Sequence, residues 1–214
     1  WPTIQLAVSG IGLALLIGIV AGVIAAAMMD TWVETLVMIF AMIGISTPSF
    51  VLGMLFILFF SVNLNWLPMM GAGSIRHLIL PAVSLGFLYA AILARLVRGS
   101  MAEVLNEEYI RVAYSKGLSS KVVLFRHALK NSLIPVITVA GMYLGTLLGG
   151  QIVVEKLFSW PGMGRLAVNA ILQRDYPLIQ AIILLISVGF VSINLIVDLL
   201  YAFLDPRISY GESQ

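Results

Sequence analysis

The chain has 214 residues, of which 61% are apolar and only 10% are charged, and its formal net charge is +2. Water-soluble domains carry about 25% charged residues, so this composition excludes a soluble fold. The small net charge provides no basic surface for nucleic acid. The absence of cysteine excludes disulfides and thiolate metal sites. The composition favours a membrane protein.

Five apolar runs are long enough, or nearly so, to cross the hydrocarbon layer as helices, in which every backbone hydrogen bond closes internally. They are residues 4–29, 35–62, 78–94, 132–154 and 176–197. The third run is short, but snorkelling of Arg95 and Arg98 extends it. The sequence therefore predicts an all-α, polytopic bundle of five transmembrane helices that forms one transmembrane domain over residues 1–214.

Most basic residues lie in one connection between these runs. Residues 95–131 contain seven of the twelve Lys and Arg residues. These are Arg95, Arg98, Arg111, Lys116, Lys121, Arg126 and Lys130. The positive-inside rule places this connection in the cytoplasm, and residues 155–175 then form an external loop. The same rule places Trp1 on the external side. This position and the absence of an initial methionine together predict that a further segment precedes Trp1.

The second run contains GISTPSF, which places Pro48 in the middle of a span. Proline lacks an N–H donor and its ring clashes with the preceding turn, so a kink or break is expected. Ser46 and Thr47 are positioned to bond the freed carbonyl groups. Two interpretations remain open: a kink that serves packing, or a hinge or pathway lining that involves Ser46 and Pro48.

Residues 101–130 form a long amphipathic segment. Apolar residues at helical spacing followed by Lys116 and Gly117 predict a helix that ends at a left-handed glycine. The apolar positions are Met101, Leu105, Tyr109, Val112 and Ala113. Ser119 or Ser120 then caps a second helix, which runs into the fourth span. The segment is either a basic helix that lies on anionic lipid or a knob that inserts into a cytoplasmic partner.

Glycine recurs every four residues in the fourth run, at Gly141, Gly145 and Gly149. Such a stripe lets two helices approach closely in lipid. The partner helix belongs either to this chain or to a second membrane subunit. Gly18 and Gly22 in the first run are a weaker example of the same pattern.

The segment FSWPGMG interrupts the predicted external loop. Trp160, Pro161, Gly162 and Gly164 make it too irregular for a regular helix. It is either a re-entrant turn near the mouth of a pathway or a rigid lid.

Catalytic signatures are absent from the sequence. It contains no G-x-x-x-x-G-K-[ST] phosphate loop, no H-E-x-x-H zinc motif and no G-x-S-x-G nucleophile motif. We therefore predict a non-catalytic chain with no metal site and no cofactor of its own.

Several segments resemble one family, the ABC-importer permeases of the dipeptide/oligopeptide/nickel branch. They are EEYIRVAYSKGL at 107–118, RHALKNSLIPVIT at 126–138, GISTPSFVLGMLFILFF at 44–60, VVEKLFSWPGMGRL at 153–166 and DPRISY at 205–210. They follow the family order over nearly the whole chain. The first is similar to the cytoplasmic "EAA" loop, although Arg111 stands where the general pattern has Glu, a departure that this branch shares.

The resemblance implies a type I ABC-importer permease fold in a bacterial or archaeal cell membrane, which is the inner membrane in a Gram-negative cell. Two homologous permeases form the pathway, an external (periplasmic) binding protein delivers the cargo, and two cytoplasmic ATPases bind ATP and Mg. Residues 101–130 contain the coupling helix that docks on an ATPase. The implied coupling residues are Glu108, Tyr109, Arg111, Val112, Ala113, Lys116, Gly117, Leu118 and Ser119. The pathway or external-loop candidates are Ser46, Pro48, Trp160, Pro161 and Gly162.

The resemblance implies a cargo of peptides or a related small solute, with glutathione or nickel chelates as alternatives. A different class, an ATP-independent transporter or channel, predicts acidic residues or a filter-like loop within the spans, and neither pattern is evident in the sequence. A purely structural membrane subunit is a further alternative, which the kinked second run and the external loop disfavour.

Overall fold

The computed structural model describes the backbone of residues 1–204 and, beyond Val197, the side chain of Leu199 only. The described residues form ten α-helices and no strand. The helices are α1 Pro2–Ala27, α2 Trp32–Ser46, α3 Ser49–Phe56, α4 Ile75–Leu105, α5 Glu108–Ser115, α6 Ser120–Val122, α7 Leu129–Leu148, α8 Ile152–Leu157, α9 Met163–Gln173 and α10 Tyr176–Leu204. A π-helical turn, Ile57–Asn63, continues α3, and a second, Val123–Ala128, joins α6 to α7. The DPRISY segment lies outside the described residues.

Four of these helices are long and apolar enough to span a membrane: α1, α4, α10 and the continuous helix Ser120–Leu148. The bent pair formed by α2 and α3 is a fifth candidate. The predicted all-α bundle is therefore confirmed, with four candidate spans, or five if the bent pair counts as one. Because Ser120–Leu148 separates α5 from α8, these two short helices lie at opposite ends of the bundle. We call these ends the α5 end and the α8–α9 end.

The centre of the bundle is the packing of α1 on α4, the most extensive helix contact in the described chain. A Cβ atom at Gly22 would lie 2.5 Å from Val97 Cβ and 2.7 Å from the carbonyl oxygen of Ala94. At Gly18 the corresponding distance to Leu93 Cβ is 2.8 Å. These glycines let the backbones of α1 and α4 approach closely, as the small-residue pattern at Gly18 and Gly22 predicts.

The second glycine pattern joins α7 to α10. A Cβ atom at Gly141 would overlap the side chain of Val197, and one at Gly145 would lie 3.3 Å from Asn194 Oδ1. The helix against which Gly141 and Gly145 pack is therefore α10 of this same chain. Gly149 has no such neighbour within 3.4 Å outside its own helical turn and caps the C-terminal end of α7.

The second span breaks at the predicted proline. α2 ends at Ser46, and the segment Ser49–Asn63 is bent by 102° relative to it. The hydroxyl of Thr47 donates to the carbonyl oxygen of Ile43 at 2.8 Å, as does the Thr47 N–H at 3.0 Å. The expected break at Pro48 is confirmed, and Thr47 makes one of the predicted side-chain bonds.

The third span is much longer than residues 78–94, because α4 continues to Leu105. Arg98 lies inside this helix and pairs with Glu34 in the first turn of α2, with 2.7 Å between Arg98 Nε and Glu34 Oε1. The helix continues without a break past Arg98 to Leu105, and the ion pair joins α4 to α2 at this point. The sequence pattern contained no sign of this pairing.

Candidate functional site

The amphipathic segment at the α5 end is divided between several elements. Met101 and Leu105 belong to α4, so the prediction that they share one helix with Tyr109 is wrong. The side-chain amide of Asn106 donates to the carbonyl oxygen of Ala102 at 2.9 Å. Glu107 is extended, and α5 begins at the next residue. Asparagine competes with the helical backbone in this way, and a new helix begins after it.

The buried face of α5 also differs from the predicted one. Ile110 and Ala113 are buried against Val123 of the π-helical turn, with Leu105 beside them. Tyr109 and Val112 are instead 41% and 51% exposed. The spacing of three residues between Ile110 and Ala113 was a usable signal. The sequence reading missed it because the apolar residues of α5 are not confined to one face.

The turn after α5 has the predicted backbone. Gly117 has φ +78°, and Lys116 occupies the preceding cap position. The N–H of Leu118 donates to the Ala113 carbonyl at 3.3 Å, and the N–H of Gly117 donates to the Tyr114 carbonyl at 2.9 Å. This pair of bonds is the Schellman motif, in which a left-handed residue closes a helix.

Ser119 occupies the cap position before α6, as predicted, but its hydroxyl makes no capping bond. The Val123 N–H donates to the Ser119 carbonyl oxygen instead, at 3.0 Å. α6 and the π-helical turn then lead directly into α7, which confirms that the second helix of the segment runs into the fourth span.

The described structure places most of the predicted coupling residues on one exposed surface at the α5 end. Ala113 is the exception, because it is buried. The exposed members are Glu108, Tyr109, Arg111, Val112, Lys116, Gly117, Leu118 and Ser119. A further bond holds this surface to the bundle, since the side-chain amide of Asn131 donates to the Tyr109 hydroxyl at 2.7 Å.

Two helices, α8 and α9, occupy most of the predicted external loop 155–175. Trp160 lies between them and is buried, and its indole N–H donates to the Pro2 carbonyl oxygen at 2.9 Å. The Arg165 side chain donates to the Ser159 carbonyl oxygen at 2.7 Å. The irregular stretch predicted at FSWPGMG corresponds to the link Phe158–Gly162, and α9 begins at its last two residues, from Met163.

Glu155 is fully buried at the centre of this region. Its carboxylate accepts the Thr3 hydroxyl at 3.3 Å and the Arg165 N–H at 2.9 Å. The Thr3 hydroxyl oxygen in turn accepts the Met163 N–H at 2.7 Å. Carboxylate and hydroxyl oxygens thus satisfy the free N–H groups at the start of α9. We call this arrangement of Pro2, Thr3, Glu155, Trp160 and Arg165 the Glu155 knot.

The predicted pathway and external-loop residues therefore fall into two environments. Ser46 and Pro48 are exposed at the bend between α2 and α3, and Pro161 is exposed on the α8–α9 link. Trp160 and Gly162 are buried, and a Cβ atom at Gly162 would overlap the Glu155 carboxylate. The Glu155 knot thus gives Trp160 and Gly162 a packing role. The sequence reading missed Glu155 because a single glutamate near a loop carries no signal of burial.

Burial raises the pKa of Glu155 above its usual 4.5, and hydrogen bonds from Arg165, Thr3 and Gly164 partly offset the shift. A carboxyl whose folded-state pKa is raised binds more protons in the folded than in the unfolded protein. The contribution of Glu155 to the free energy of unfolding is therefore fully present below pH 4.5. It is lost as the pH rises through the folded-state pKa.

We expect this contribution to appear in the difference between the melting temperatures of the wild-type protein and Glu155→Gln in detergent. The glutamine stays neutral, so the wild type should lose stability relative to the variant as the pH rises from 4.5 to neutral. A difference that does not change with pH would contradict the raised pKa.

Comparison with known proteins gives consistent results. The family model described as binding-protein-dependent transport system inner membrane component matches residues 18–210. The chain is 50% identical over 209 residues to the glutathione transport system permease protein GsiC of Escherichia coli strain K12. That match covers 98% of this chain and 68% of the relative. The GsiC protein of Shigella dysenteriae serotype 1 (strain Sd197) matches with the same identity and coverage.

Solved structures that resemble the fold include two crystal forms of the MetNI methionine ABC transporter in inward-facing conformations. The selenomethionine-soaked form has a TM-score of 0.82 at 17% identity, over 96% of this chain and 94% of that chain. The native form has a TM-score of 0.78 at the same identity and coverage. At this identity the likeness shows the fold alone.

Proposed function

The chain belongs to the family of binding-protein-dependent transport system inner membrane components and is a permease subunit of an ABC importer, and on that premise we propose that its α5 end couples transport to a separate ATPase. It has the type I permease fold and is a multi-pass protein of the inner membrane. The family implies an ATPase and a substrate-binding protein as partners.

The observation that carries the proposal is the two-sided character of α5. One side, Ile110 and Ala113, anchors the helix on Val123, while the other side exposes Tyr109 and Val112. An exposed apolar patch with basic residues around it suits insertion into a groove of another protein. The Gly117 turn fixes the angle between α5 and the following helix α6.

We further propose the arrangement of the complete importer. Two homologous permeases enclose the pathway, and each presents its α5 to one of two cytoplasmic ATPases, which bind ATP and Mg. Residues 95–131 are then cytoplasmic and the Glu155 knot faces the external binding protein. This orientation follows from the seven cations of residues 95–131.

The cargo that we propose is glutathione or another short peptide. Support comes from the two GsiC proteins, which are named as glutathione transport permeases and share half of their aligned residues with this chain. Uptake of radiolabelled glutathione by vesicles that contain the importer and its binding protein tests this cargo. Uptake of a nickel chelate but not of glutathione would select the alternative cargo.

The coupling role is tested by crosslinking from introduced cysteines, since the chain has none of its own. Val112→Cys and Ser119→Cys lie on the exposed surface and should crosslink to the ATPase subunit in membranes. Ala113→Cys is a matched control, because its side chain is buried against the bundle and should react poorly. Absence of crosslinks from both exposed positions, or their labelling only from outside the cell, would refute the proposal.

A further inference from the structure

One charged pair links two spanning helices close to the α5 end. Two nitrogens of the Arg98 guanidinium, Nε and Nη2, lie 2.7 Å and 2.5 Å from the same oxygen of Glu34. The other carboxylate oxygen accepts the Asp30 N–H at 2.7 Å. The side chain of Arg98 is 37% exposed and that of Glu34 is 12% exposed. Both side chains are partly exposed at the rim of an open pocket, so the pair fixes the geometry between α2 and α4 more than it adds stability.

The helix on the other side of this pair, α2, has one further close contact with α4, at Gly44, where a Cβ atom would lie 2.8 Å from Ala91 Cβ. Only Ala41 and Gly44 of its residues are fully buried. An apolar gap of about 180 Å³ lies between α2 and the helices α1 and α4. At its far end the break at Pro48 separates α2 from α3. Within the described residues, the Arg98–Glu34 pair is the one ion pair, and it holds the near end of α2 to α4.

The other side of the pair leads to α5. Arg98 lies two turns before the end of α4 at Leu105, and α5 begins three residues later, at Glu108. Leu105 packs against the cluster formed by Ile110, Ala113 and Val123. A displacement of α5 therefore acts on the end of α4 that carries Arg98.

We propose that Arg98 and Glu34 are positioning residues that carry the displacement of α5 to α2, and through α2 to the exposed bend at Ser46 and Pro48. The inference rests on the proposed coupling of α5 to an ATPase. Arg98 suits this role because two nitrogens of its planar guanidinium approach the same oxygen of Glu34. A lysine ammonium has only one nitrogen to offer. The pair fixes the near end of α2 to α4, and the packing of Gly44 on Ala91 holds α2 to the same helix farther along.

The experiment uses the complete importer in lipid vesicles and reports the movement of α2 without reference to the cargo. A cysteine at Ser46 is labelled with a maleimide in the presence and absence of ATP and Mg. The variants are Arg98→Glu, Glu34→Arg and the double exchange of both charges. Arg95→Glu is the matched control, because Arg95 lies one turn away on the same helix and makes no ion pair among the described residues. Crosslinking of Val112→Cys to the ATPase is measured in each variant.

We expect ATP to change the labelling rate at Ser46 in the parent protein and in Arg95→Glu. Each single charge reversal should lose this change while Val112 still crosslinks to the ATPase, and the double exchange should restore it. If a single reversal prevents assembly, the double exchange and the milder Glu34→Gln, which removes only the charge, decide the question. Loss of the ATP response in Glu34→Gln and its recovery in the double exchange support the inference.

Two results would overturn this inference. One is a normal ATP response in the single reversals, and the other is an assembled double exchange that shows no response. Either result, with Val112 crosslinks present, leaves the coupling role of α5 intact. Failure of the parent protein to crosslink at Val112 would refute the coupling role itself.

Discussion

Replacing Gly22 with Leu is expected to prevent α1 from packing on α4 and to remove most of the folded protein from the membrane. A side chain at this position meets the carbonyl oxygen of Ala94 and the Cβ atom of Val97. Neither atom can move without moving the α4 backbone. Overpacking of a well-packed core costs about 1–3 kcal/mol even for small additions, and Leu adds several heavy atoms. The cost is a large fraction of a total stability of about 5–15 kcal/mol.

The measurement is the quantity of protein in membranes and its melting temperature in detergent. Gly12→Leu is the control on the same helix, because a Cβ atom at Gly12 has no neighbour within 4 Å. It should leave both quantities nearly unchanged. Equal losses in the two variants would mean that α1 is sensitive to any large residue, and the specific backbone contact at Gly22 would be refuted.

Gly117→Val is expected to abolish most ATP-driven transport while the protein still folds and reaches the membrane. A Cβ atom at Gly117 would have open space around it, so no clash opposes the change. The cost arises from the backbone, because φ is +78° and a β-branched residue is strained there. A left-handed conformation costs an ordinary L-residue roughly 1–2 kcal/mol, which lowers the population of the correct turn by about five- to thirtyfold.

The matched control is Gly117→Asn, because asparagine tolerates positive φ far better than valine does. We expect normal stimulation of ATP hydrolysis in the Asn variant and lost stimulation in the Val variant, with equal assembly of both in reconstituted vesicles. Wild-type stimulation of ATP hydrolysis in Gly117→Val would contradict the coupling role of this turn. It would show that the turn only ends α5 and that local unwinding relieves the backbone strain.

The two ends of the bundle differ in the way they are held. At the α8–α9 end the buried carboxylate of Glu155 and the indole of Trp160 bond to the first residues of α1. At the other end, α5 itself is held by the small apolar cluster of Ile110, Ala113 and Val123 and by the Tyr109–Asn131 bond. Few buried contacts permit movement at low free-energy cost. This difference agrees with a coupling role for the α5 end.

The amino-acid sequence by itself determined the features that depend on local chemistry. Long uncharged runs form helices in lipid because every backbone polar group must be bonded within the segment. Pro48 breaks the second span because it lacks an N–H group. Gly117 adopts positive φ between two helices because it has no Cβ atom. Each of these outcomes was predicted correctly, since the cause lies within one or two helical turns of the residue.

Only the tertiary structure decided the features that depend on distant partners. Ile110, rather than Tyr109, is the buried anchor of α5 because Val123 and Leu105 lie on that side of the helix. Arg98 pairs with Glu34 because the first turn of α2 lies beside this part of α4. The Glu155 carboxylate is buried because backbone N–H groups of α9 and the hydroxyl of Thr3 converge on it. In all three cases the partner is separated from the residue along the chain, and a sequence pattern specifies residue types and spacing but not which separated residues meet.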